Sequence, residues 1–75
     1  MKYTEERRNE YAAVNAALPS GSYKKIVNKL KKHDWANYQF VYDVLNGRKK
    51  RWNENHSIIL KEARSIIKEK QKSLK

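Results

Sequence analysis

Two groups of side chains stand out in this chain, and both favour binding over bond making. The first is cationic. Lys24 and Lys25 follow a Ser20-Gly21-Ser22 turn, and Arg48, Lys49, Lys50 and Arg51 form an unbroken basic run. The second is Tyr38, Gln39 and Tyr42, spaced to share one side of a helix. Cations and unpaired backbone N–H groups hold phosphates, whereas side chains laid in a groove read base edges. A glutamine amide matches adenine N6/N7, and a tyrosine ring can pack on a thymine methyl or bond a phosphate.

Catalytic chemistry finds no comparable set. His33 and His56 are far apart and neither sits in a ligand-spaced group, there is no cysteine, and the carboxylates are scattered. Gly21 and Gly47 are the only glycines, so there is no glycine-rich phosphate loop. His33 beside Asp34 reads as a turn pair. The expectation is a protein that is not an enzyme and needs no metal or cofactor.

Charge sharpens the binding reading. The formal net charge is +10. Residues 1–19 balance to zero, residues 20–52 carry nine cations against two carboxylates, and residues 53–75 carry six against three. A basic block of this density argues for a polyanionic partner. At 75 residues the chain is one small domain, and without cysteine its stability must come from helix packing or from an oligomer. No apolar run approaches the ~20 residues of a membrane span, and the start of the chain lacks the apolar stretch of a secretory signal. These readings predict a cytoplasmic, nucleoid-associated protein with no membrane partner.

The elements that must hold these groups are helical. Residues 4–18 predict a first helix, with Thr4 as cap, Glu5 and Glu6 at its positive end, and Tyr11, Val14 and Leu18 inward. Pro19 stops it. Ser22 is expected to cap a second helix over Tyr23–Lys31, with Tyr23, Ile26, Val27 and Leu30 inward. Lys24 and Lys25 then lie at the wrong end of that helix's dipole, a conflict that a phosphate bound with Ser22 would remove. Asn37 predicts the cap of a third helix running to Leu45, with Phe40, Val41, Val44 and Leu45 inward and Tyr38, Gln39, Tyr42, Asp43 and Asn46 outward. Asn46-Gly47 suits its C-terminal cap. A hairpin turning at Asn-Gly competes with this helix, but its second strand would be all cationic. Trp52 is expected to anchor the basic loop to the core. A fourth helix begins near Asn55 or Ser57 and runs to about Lys70, burying Ile59, Leu60, Ala63, Ile66 and Ile67, with residues 71–75 frayed. The predicted class is all-α, a small four-helix bundle.

The stretch LPSGSYKKIVNKLKKHDWANYQFVYDVLNGRKKR, Leu18 to Arg51, resembles the helix-turn-helix of lambda-repressor/Cro-like regulators of phage and mobile elements. The resemblance lies in an amphipathic helix, a turn, and a helix ending Val44-Leu45-Asn46-Gly47-Arg48. The segment Lys31-Lys32-His33-Asp34-Trp35 makes the turn longer than that family's usual one. The resemblance implies one helix-turn-helix domain over residues 1–75, with its core about 20–52. It also implies a transcriptional regulator that occupies an operator in double-stranded DNA. Ser22, Lys24, Lys25, Asn37, Tyr38, Gln39, Tyr42, Arg48, Lys49, Lys50 and Arg51 would form the contact surface, and the C-terminal helix would be a candidate homodimer face. The competing class is a packaging or architectural nucleic-acid binder, including a recombination directionality factor, or an RNA-binding module.

Overall fold

The computed structural model describes residues 2–73, with side chains through residue 70. Its order is α1 (Glu5–Ala17), α2 (Ser22–Lys29), α3 (Tyr38–Leu45) and α4 (Glu54–Ser73). The chain is thus an all-α, four-helix domain, and the hairpin alternative at Asn46-Gly47 does not occur. Residues 74 and 75, part of the segment expected to fray, lie outside the described residues; residues 71–73 continue α4.

Local hydrogen bonds set most boundaries. The Thr4 hydroxyl accepts from the Arg7 N–H at 3.1 Å, and Glu5 and Glu6 follow in the first turn of α1. Leu18 ends that helix in an extended conformation (φ −70°, ψ 135°), as a residue before proline must. The Asn37 Oδ1 accepts from the Phe40 N–H at 2.8 Å and starts α3. Gly47 ends α3 at φ 71°, with Arg48 N–H donating to the Asp43 carbonyl at 2.9 Å and Gly47 N–H to the Val44 carbonyl at 3.3 Å. These paired bonds satisfy carbonyls that would otherwise be left open at the helix end.

The start of α2 departs from expectation. Gly21, not Ser22, holds the cap position, at φ 81° and without a side-chain cap. Ser22 is already helical and 2% exposed, and its hydroxyl donates to the Pro19 carbonyl at 2.5 Å. The glycine can adopt the left-handed conformation that tightens this turn, so the serine rotates under the chain rather than over the helix end. The helix also ends at Lys29, short of Lys31. Turns closed by His33 N–H on the Leu30 carbonyl and Ala36 N–H on the His33 carbonyl carry the chain to Asn37. Trp35 is fixed there between His33, stacked at 4.8 Å, and Phe40, edge-on at 5.6 Å.

Ile26 and Leu30 of the second segment, Val41, Val44 and Leu45 of α3, and Ile59, Leu60, Ala63 and Ile66 of α4 form the core with Tyr11 and Val14 of α1. Burying such side chains contributes about 1.5–3 kcal/mol each for the larger ones. Backbones approach closely between every pair of helices except α1 and α2. The core therefore clamps α3 from three sides and leaves its remaining side exposed.

Candidate nucleic-acid interface

The open side of α3 carries Tyr38, Gln39 and Tyr42. Tyr38 is 50% and Tyr42 37% exposed, the exposed large apolar side chains among the described residues. Both lean on Tyr23 of α2, whose ring meets Tyr38 edge-on at 5.8 Å and Tyr42 at 6.0 Å. Tyr23 thus joins the beginning of α2 to the surface of α3. A cleft at this junction is lined by Asn15, Ser20, Gly21, Lys24 and Tyr38, so Lys24 borders the α3 surface directly.

Tyr23 is itself held by a ring of hydrogen bonds. Its hydroxyl donates to Asn15 Oδ1, and Asn15 Nδ2 reaches Asn46 Oδ1 at 3.4 Å. Asn46 Nδ2 closes the ring on the Tyr23 hydroxyl at 3.1 Å and also donates to the Tyr42 carbonyl at 2.8 Å. Sequence periodicity placed Asn46 outward but gave no sign that it would connect three helical segments.

At the far end of α3, Arg48 Nε lies 3.5 Å from Asp43 Oδ1. The same oxygen accepts from Gln39 Nε2 at 2.9 Å. Gln39, Asp43 and Arg48 thus form one row along the helix. Two of the four successive cations thus have partners within the fold. Arg48 has a carboxylate, and the Lys49 ammonium sits 5.2 Å over the Phe40 ring. Lys50 and Arg51 remain exposed, and their backbone joins the start of the chain: Tyr3 N–H donates to the Lys50 carbonyl at 3.4 Å, and Arg51 forms an antiparallel bridge with Lys2.

The expected contact residues therefore divide. Lys24 and Lys25 are exposed at the start of α2, and Tyr38, Gln39, Tyr42 and Arg48 are exposed on α3 or just beyond its end. Ser22 is corrected: it is buried and its hydroxyl is committed to Pro19, so that hydroxyl is not offered to a ligand. Asn37 is exposed but spends its side-chain oxygen on the cap of α3. Elsewhere in the basic block, Lys29 pairs with Glu69 of α4 at 3.9 Å, directing that end of α2 toward α4.

The basic loop is anchored as expected. Trp52 Nε1 donates to the Tyr11 hydroxyl at 2.9 Å, and the Arg7 guanidinium covers the indole at 3.9 Å. Burial raises the Tyr11 pKa and drives that of Tyr3 far above its ordinary value. Tyr3 Oη lies 2.6 Å from Nδ1 of His56, which is 2% exposed. Burial lowers the His56 pKa, with the Lys49 charge adding to the effect. His56 is a packing residue that the sequence did not reveal, because its partner is at the other end of the chain.

Among the described residues no cluster of three His, Cys, Asp or Glu is arranged to hold a metal ion, and no helix is long and apolar enough to cross a membrane. The exposed positions of α4 through residue 70 carry no large apolar side chain. The chain matches no protein-family model, no curated protein and no solved structure.

Proposed function

We propose that this chain binds double-stranded DNA sequence-specifically and acts as a transcriptional regulator by occupying an operator, in the manner of lambda-repressor/Cro-like helix-turn-helix proteins. One observation carries the reading: Tyr38, Gln39 and Tyr42 stand exposed on α3, with Lys24 against one end and Arg48 at the other. A helix with polar and aromatic groups on its open side fits a major groove ~12 Å wide, and cations at its ends meet the phosphates that border the groove. Lys24 and Lys25 occupy the first turn of a helix with no side-chain cap, where an anion offsets their unfavourable place in the dipole.

Asp43 favours a base-reading regulator over a packaging protein. Its carboxylate sits within the α3 row and repels phosphate, which is useful only where it restrains Gln39 and Arg48 or accepts from a cytosine N4 amine. The mechanism is occupancy without chemistry, in the cytoplasm at the nucleoid. Selection of bound duplexes from a random pool at near-physiological salt tests it. A sharp consensus preferred ~10³-fold or more over random DNA is expected. Equal binding to all duplexes would move the protein to the architectural class, and preference for RNA to an RNA-binding module.

A further inference from the structure

Lys2 and Arg51 are directly opposed in an antiparallel bridge. Opposed residues in such a pair project to the same side, and like charges there are destabilising. Neither forms an ion pair among the described residues. Arg8, one turn into α1, reaches the Gly47 carbonyl with Nη1 at 3.5 Å and lies 5.4 Å over the Tyr3 ring. The fold thus brings the start of the chain against the loop after α3, so that Lys2, Arg8, Lys50 and Arg51, from separate stretches of chain, all lie exposed around one seam.

That seam adjoins the C-terminal end of α3, because Gly47, which Arg8 touches, lies just past that helix, and Arg48 follows it. Residues 1–19 have zero net charge, so composition gives no reason to place this end of the chain at a polyanion. We infer that Lys2 and Arg8 join Lys50 and Arg51 in a second phosphate-binding edge, which grips the duplex backbone beside the groove that α3 enters. The inference rests on the DNA-binding reading above and adds the N-terminal segment to it. The opposed Lys2 and Arg51 charges are a cost in the unbound protein that a phosphate between them removes, and the edge reads no bases.

The test compares the full chain with a K2Q/R8Q variant, using duplex affinity across a salt series and thermal melting without DNA. The expected result is weaker binding to selected and random duplexes by the same factor, unchanged site preference, and a slope of log K against log salt shallower by about 2. Melting checks that the variant stays folded: R8Q gives up the Gly47 hydrogen bond and the Tyr3 ring contact, so a small fall is expected, and weaker binding with an unchanged salt slope would mark a purely structural role. Amine labelling of the unaltered protein gives an independent reading, with Lys2 shielded when duplex is bound. An unchanged salt slope with Lys2 still labelled would overturn this edge while leaving the α3 reading in place. Failure of the unaltered protein to bind any duplex would overturn both.

Discussion

Gln39 and Asp43 stand one turn apart on the open side of α3, with Gln39 Nε2 2.9 Å from Asp43 Oδ1. Arg48 approaches the same oxygen at 3.5 Å. The carboxylate therefore controls both the amide best suited to a base and the first cation of the loop. Replacing Asp43 by Asn removes a charge that repels phosphate. Binding to random duplex should strengthen, and the ratio of selected to random affinity should narrow. Competition binding at fixed salt checks both; a ratio that holds or widens would refute this role. The lost exposed ion pair should cost no more than about 1 kcal/mol of stability.

Gln39→Ala should act differently. Truncating a base-reading amide should change the preferred site by about 1–3 kcal/mol at one base pair and leave the salt slope alone. Comparing selected sequences for the two proteins reads this directly. An identical consensus would remove Gln39 from the reading set.

Gly47→Ala isolates a backbone effect. A Cβ there meets nothing within 4 Å, so the cost comes from holding alanine at φ 71°. That conformation costs an L-residue about 1–2 kcal/mol. In a domain of this size each kcal/mol lowers Tm by roughly 4–8 °C. A Tm within a degree of the parent would show that the chain ends α3 some other way.

The Tyr23 hydroxyl joins Asn15 and Asn46. Tyr23→Phe should cost about 0.5–1.5 kcal/mol in urea unfolding. Because one network contains both residues, Tyr23→Phe and Asn46→Ala should be non-additive by at least ~0.5 kcal/mol in a double-mutant cycle. Simple additivity would mean that the ring of bonds contributes no cooperative energy.

His56 sets an acid limit on stability. Its folded-state pKa is depressed by burial and by Lys49, so the unfolded chain takes up the proton first. The contribution is fully present above the unfolded value of about 6.5 and is lost as pH falls through the lower folded value. Urea midpoints from pH 8 down to 5 should fall below about pH 6.5, and the fall should be smaller in His56→Gln. An equal fall in both proteins would assign the acid sensitivity to other groups.

Local chemistry made much of the architecture legible. Thr4 and Asn37 each bond an N–H three residues on, Pro19 constrains the residue before it, and Gly47 supplies a positive φ. Each act spans a few residues, and the apolar spacing of α3 and α4 states which side is buried. Ser22 failed this test because two caps were available at one turn, and Gly21 took the position by backbone freedom. The partnerships Tyr3–His56, Tyr11–Trp52 and Arg8–Gly47 link residues 53, 41 and 39 positions apart. No periodicity encodes such pairings, since they exist only once α1, α3 and α4 have packed. Residue types and their spacing were enough to specify four helices, their inward sides and a basic centre. Tertiary packing decided which cations lie together, because it brings the first residues of the chain against the loop after α3 and turns Lys29 toward α4.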